Sequence, residues 1–188
     1  MTHLDGWIVG FVDGEGCFSI QFNPNREMRF GFQVQAEFAV TQAMSSLDAL
    51  KVIQQRFACG NLQVNPRNDQ RHDDLVIYRV RKLDDLVSVV VPFFQANPLK
   101  TAKQQQFVLF AQVVELMSRK VHLTDDGFKR IRDISNQMNQ RAKRLVCLES
   151  SETVRQAPQR GMKIQSELHG DMQRSAEMLD PVIDHDHR

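Results

Sequence analysis

Apolar side chains recur at every second position from Phe18, through Ile20 and Phe22, opposed by Ser19, Gln21 and Asn23. A second run sets Phe30, Phe32, Val34, Ala36, Phe38 and Val40 against Gly31, Gln33, Gln35, Glu37, Ala39 and Thr41. Period two marks strands with one buried face. Asn23-Pro24-Asn25 supplies turn chemistry, so the two runs predict a long β-hairpin. Ahead of it, residues 4–13, LDGWIVGFVD, read as a short apolar helix.

The same order then recurs. Ser45 or Ser46 can cap a helix running to about Phe57, with Leu47, Leu50, Ile53 and Phe57 on one face. Cys59-Gly60-Asn61 turns, Leu62 to Val64 begins a strand, and a polar loop runs from Asn65 to His72. Asp74 to Lys82 is a further strand, and 83–94 a helix ended before Pro98. Two more helices follow, about 101–118 and 124–143. The expected fold class is α+β with αββαββα order, an antiparallel sheet and C-terminal helices. The expected division is one domain over 1–145 and a partly helical extension over 146–188, whose last residues, DPVIDHDHR, read as disordered.

The polar faces of both hairpins share a bias. Gln21, Asn23, Asn25, Arg29, Gln33 and Gln35 belong to the first; Arg67, Gln70, Arg71, Tyr78, Arg79 and Arg81 to the second. Gln, Asn and Arg are the side chains that pair bidentately with base edges in the major groove. A ten-residue strand spans roughly 33 Å, about the rise of ten base pairs.

Composition limits the alternatives. Hydrophobic content of 41% and charged content of 25% are those of a globular chain. No apolar run is long enough to cross a bilayer, and Met1-Thr2-His3-Leu4-Asp5 lacks the basic start of a signal peptide. Cys17, Cys59 and Cys147 show neither zinc spacing nor a disulfide framework, which points to a reducing intracellular compartment, bacterial cytoplasm, plastid and mitochondrion alike. The net charge of +1 is uneven: 148–188 carries five Lys/Arg and eight acids, leaving 1–147 mildly basic. Nucleic acid is compatible with that body.

One stretch is out of keeping with a simple connection. Asp13-Gly14-Glu15-Gly16 places two carboxylates where the apolar helix ends, against the helix dipole, which prefers cations there. Ile8-Val9-Gly10-Phe11-Val12-Asp13-Gly14-Glu15-Gly16 resembles the LAGLIDADG motif of homing endonucleases. SIQFNPN over 19–25, FAVTQ over 38–42 and the Lys-rich helix start after Pro98 are similar to the single-motif, homodimeric branch of that family. The resemblance covers about 4–145, and SSETVRQ over 150–156 extends it weakly.

The resemblance implies a sheet shaped as a DNA-binding saddle, and a homodimer whose motif helices pack across a two-fold axis. Gly6, Trp7, Val9, Gly10 and Asp13 fall on the implied interface, with Gly6 and Gly10 forming a bald stripe. Glu15, the Gly14 carbonyl and Asp13 are the implied ligands of Mg²⁺ or Mn²⁺, Asp13 serving instead as a cap on the facing helix in the structural alternative. Gln42 matches the residue beside the attacking water, and either Lys100 or Lys103 the base that stabilises charge on phosphate. The implied activity is a metal-dependent double-strand break with short 3′ overhangs in a pseudo-palindromic site of about 20 base pairs. An intron-encoded enzyme is the expected setting, with double-stranded DNA and a second copy as partners, intron RNA as a further one, and no membrane. The alternative function is an RNA maturase or DNA-binding regulator of the same family, without cleavage. His185-Asp186-His187 has the donors to chelate a metal but falls in a tail expected to fray; His72 and His122 have no acid–base partner at recognisable spacing, Arg141 to Arg144 reads as backbone-contacting or solvated, and Cys17 reads as packing.

Overall fold

A computed structural model of the chain describes residues 2–67 and 73–139. The predicted boundary at 145, the C-terminal extension, Gln70 and Arg71 lie outside them.

Helix α1, His3–Glu15, begins with a capping box: the Thr2 hydroxyl accepts from the Asp5 backbone N–H, and the Asp5 carboxylate accepts from the Thr2 N–H. Asp5 is buried and also receives Arg56 at 2.9 Å, which ties α1 to α2. The helix runs straight into β1, Gly16–Pro24. That transition needs glycine at 16, because a Cβ there would lie 2.8 Å from the Val12 carbonyl oxygen.

Strands β2 (Phe32–Ala43), β3 (Asn61–Asn65) and β4 (Leu75–Val80) complete an antiparallel sheet of order β1-β2-β4-β3. Gly16 pairs with Val40 and Pro24 with Phe32. The second half of β2 pairs with β4, from Phe38 opposite Val80 to Ala43 opposite Leu75. Phe30 lies in the loop instead of the strand, stacked on Phe128 with centroids 4.7 Å apart.

Helix α2, Leu47–Phe57, follows a 3₁₀ turn over Met44–Ser46. Neither serine hydroxyl caps it, contrary to expectation; the 3₁₀ turn feeds the helix directly. The next helix is interrupted. After α3, Leu83–Asp85, the chain widens to a π-helix over Leu86–Val90, and the Val91 N–H reaches back five residues to the Leu86 carbonyl. It resumes as α4, Val91–Ala96. Pro92 in the first turn of α4 explains the widening: it has no N–H to donate, and its ring crowds the carbonyl four residues back. Helix α5 is Lys103–Ser118, and α6 is helical over 125–139. Among the described residues no helix is long and apolar enough to cross a membrane.

All helices that fill the core lie against one sheet face. Phe18 sits at the centre of it, with the rings of Phe38, Phe94, Phe107 and Phe110 5.2–5.5 Å away by centroid. The even-numbered residues Phe38, Val40, Val76, Tyr78 and Val80 all point into this core. Among the described residues no helix packs on the odd-numbered face.

Candidate active site and nucleic-acid interface

The site forms where α1 meets β1. Three glycines four residues apart, Gly6, Gly10 and Gly14, line one side of α1, and a Cβ on any of them would meet nothing within 4 Å. Trp7, 38% exposed, and Phe11 stack beside this stripe at 5.0 Å. Among the described residues nothing covers this apolar, glycine-lined helix face. Val9 is not part of it: at 3% exposure it packs into the chain's own core beside Ile8 and Val12. That corrects the expected interface set, since one turn of helix can bury Val9 only by rotating Trp7 and Gly10 outward.

The two acids at the end of α1 do different things. Asp13 accepts three hydrogen bonds from the loop ahead of α5: the Lys100 N–H at 2.6 Å, the Thr101 N–H at 3.3 Å and the Thr101 hydroxyl at 2.7 Å. Burial pushes its carboxyl pKa up, but the Thr101 and Lys100 hydrogen bonds and the nearby Lys103 charge outweigh it, and the net shift is downward. Both oxygens are therefore committed inside the chain, which fits a structural cap on its own α5 loop better than metal ligation. Glu15, by contrast, is exposed and accepts no hydrogen bond among the described residues.

The cation that the helix end lacks comes from 88 residues later in the chain. Lys103 donates through Nζ to the Val12 carbonyl at 2.9 Å and the Gly14 carbonyl at 3.2 Å. Its charge answers the negative end of the α1 dipole. Burial lowers the Lys103 pKa, partly opposed by Asp13, Cys17 and Glu15. Lys100 takes part through its backbone alone, and its side chain is exposed. Gln42 lies two residues beyond Val40, the partner of Gly16, and pairs with Val76, so it shares the helix-covered face and is half-buried at the end of it.

As a metal site, this donor set is hard oxygen: one free carboxylate and one backbone carbonyl per chain. Among the described residues no three His, Cys, Asp or Glu side chains cluster. Oxygen donors of this kind fit Mg²⁺ or Mn²⁺, which use one or two carboxylates together with phosphate oxygens and water.

The open sheet face begins at Glu15. Cys17 is exposed on it instead of packed, because its odd position turns it away from the core. Gln21 pairs with Gln35 and Asn23 with Gln33 in register, and the Asn23 amide donates to the Gln35 side chain at 3.1 Å. Arg79 and Arg81 continue this face across β4. Arg67 is exposed in the β3–β4 loop. Two expected contact residues are turned elsewhere. Tyr78 is fully buried on the core face, its hydroxyl donating to the Cys59 carbonyl at 3.0 Å and its pKa pushed up by burial. It has the parity of Val76 and Val80, so a base contact is ruled out. Arg29 pairs with Asp125 at 2.8 Å and lies over the Phe30 ring, on the helix side of the hairpin end. Asn25 accepts from the Glu27 N–H, fixing the hairpin loop.

Residues 8–114 match the family described as LAGLIDADG endonuclease. The chain is 31% identical over 138 residues to the Neurospora crassa protein named "Probable intron-encoded endonuclease 3", covering 72% of this chain and 25% of that one. It thus spans about a quarter of that relative's length. The crystal structure of a homing endonuclease, I-TnaI, superposes with a TM-score of 0.66 at 38% identity, covering 78% of this chain and 97% of that one. I-SmaMI, bound to an uncleaved DNA target in the presence of calcium ions, superposes with a TM-score of 0.67 at 29% identity, over 74% of this chain and 46% of that one.

Proposed function

Since the chain belongs to the LAGLIDADG endonuclease family, we propose that it is a site-specific DNA endonuclease that works as a homodimer and hydrolyses both strands of a long pseudo-palindromic target. The observation that carries this reading is the placement of Glu15. A free carboxylate ends a helix whose glycine-lined face is open, and it stands at the edge of a one-sided sheet bearing Gln, Asn and Arg.

Two copies of α1, packed through Gly6, Gly10 and Gly14, bring two Glu15 carboxylates together at the two-fold axis. Glu15 and the Gly14 carbonyl would hold Mg²⁺ or Mn²⁺. A bound ion of this kind activates water and stabilises the leaving oxygen of a phosphodiester. The chain's own groups do the rest. Lys103, fixed on the Val12 and Gly14 carbonyls, stabilises negative charge developing on phosphate. Gln42 orients the attacking water from the end of β2. Asp13 holds the loop that delivers Lys103, and is a positioning residue. The open faces of the two sheets form the saddle on which Gln21, Asn23, Gln33, Gln35, Arg79 and Arg81 meet the DNA. The two-fold symmetry makes the target pseudo-palindromic.

The test is cleavage of a complex duplex library by the full chain in Mg²⁺, with the ends sequenced. Paired cuts at one pseudo-palindromic site with short 3′ overhangs, abolished by EDTA, support the proposal. Selective binding without cuts replaces it with a regulator or maturase, for which intron RNA is the next ligand to test.

A further inference from the structure

We propose that Glu37 is a specificity-determining positioning residue that locks the Arg81 guanidinium for bidentate reading of a guanine in each half-site; this rests on the DNA-endonuclease reading above. Among the described residues the buried polar or charged side chains are Asp5, Glu37, Asn97 and Ser135, and Glu37, 7% exposed, is the one that lies on the open sheet face. A carboxylate on a surface that meets phosphates is repelled by them. Its presence at the middle of β2 therefore calls for a compensating role, and its partners supply one.

Glu37 pairs in register with Ser19, and the Phe38–Val80 pair brings Arg81 beside it on the next strand. The Arg81 Nε donates to Glu37 Oε2. Arg79 Nε lies 3.9 Å from the same oxygen, without a hydrogen bond of its own, while Arg79 Nη1 donates to Gln63 at 2.8 Å. Engaging Arg81 through Nε fixes the plane of its guanidinium, and among the described residues neither terminal Nη group has a hydrogen-bond partner, which leaves both for a ligand. Gln63, Arg79, Arg81 and Lys82, with Asp85 beside Lys82, line a cavity of about 270 Å³ at this point. A guanine presents two adjacent acceptors, O6 and N7, in the major groove, and the guanidinium fork matches them. A cluster built for phosphate would gain nothing from a carboxylate that cancels half the charge of its two arginines. A carboxylate that orients a fork improves discrimination between bases, at some cost in attraction to the backbone.

The experiment is site selection from a randomised duplex pool by the full-length protein, followed by binding of the selected site across a salt series. Wild type is expected to select a guanine at one position per half-site. Glu37→Gln is expected to lose that preference by about tenfold while keeping the preferences at other positions and the slope of affinity against salt. Arg81→Lys keeps the charge but not the fork, and is expected to show the same localised loss. The double variant should lose no more than either alone. An unchanged guanine preference in Glu37→Gln or Arg81→Lys overturns the proposal. So does a loss spread evenly over all positions with a changed salt slope, which means a phosphate contact. Should Glu37→Gln melt before it can be assayed, Arg81→Lys decides alone. Wild type that selects no site at all overturns the endonuclease reading itself, a result distinct from either of these.

Discussion

Lys103 Nζ lies 3.2 Å from the carbonyl oxygen of Gly14, across 89 residues of sequence. The contact joins the first turn of α5 to the last turn of α1, and it puts a cation beside the free Glu15 carboxylate. It also separates two lysines that the sequence leaves equivalent. Replacing Lys103 with Met is expected to lower the cleavage rate by about 10²- to 10³-fold with DNA affinity nearly unchanged. Lys100→Met should stay within severalfold of wild type, since its side chain is exposed and its backbone N–H is retained. Single-turnover cleavage and equilibrium binding of both variants separate the two roles.

Asp13 is expected to act on stability. Its carboxylate accepts from two backbone N–H groups and a hydroxyl, so Asp13→Ala should cost about 1–2 kcal/mol. Its folded pKa is depressed below the ordinary 3.8. A depressed carboxylate contributes stability that is fully present above its unfolded pKa and is lost as pH falls through the folded one. The stability gap between wild type and Asp13→Ala, measured by urea unfolding, should therefore be constant near neutrality and close on acidification below the usual carboxylate range. A gap that widens in acid contradicts the assignment.

Gly10 tests the open face of α1. A side chain there meets nothing in the single chain, and leaving Gly in a helix interior costs about 1 kcal/mol relative to a good helix former. Gly10→Leu should fold at least as stably as wild type when monomeric, yet fail to dimerise and fail to cut. Sedimentation with circular dichroism reads both effects. A variant that still sediments as a dimer places the contact elsewhere.

Much of this was legible in the sequence, for a local reason. Alternation fixes which side chains share a sheet face, and it located β1, β2 and the polar face on them. The same rule, applied strictly, assigns Tyr78 to the core with Val76 and Val80; its hydroxyl suggests a polar surface, but that hydroxyl is satisfied by the Cys59 carbonyl. Val9 sits on the helix at an angle set by the core against which α1 packs, which the motif alone does not state. The remaining features depend on pairings distant in sequence. Asp13 meets Lys100 and Thr101, Arg29 meets Asp125, and Glu37 meets Arg81 only once β2 has paired with β4. No local pattern encodes those partners. The π segment before Pro92 belongs to a middle case: the proline is visible in sequence, but whether a helix breaks or widens there is decided by packing.

Tyr78→Phe follows from the corrected orientation. Removing the hydroxyl leaves the Cys59 carbonyl without that donor, for an expected loss of about 1 kcal/mol, and target preference should not change at any base pair. Thermal melting together with site selection checks both parts, and a shift in base preference would return Tyr78 to the DNA surface.

In the proposed mechanism Glu15 is the carboxylate of the hydrolytic site. Glu15→Gln, assayed on the selected target in Mg²⁺, measures it most directly. The expected result is target affinity equal to wild type or higher, with no cleavage of either strand and an unchanged melting temperature in the absence of metal. Cleavage that persists in Glu15→Gln at a rate near wild type contradicts the claim and moves the metal, and the chemistry, away from the end of α1.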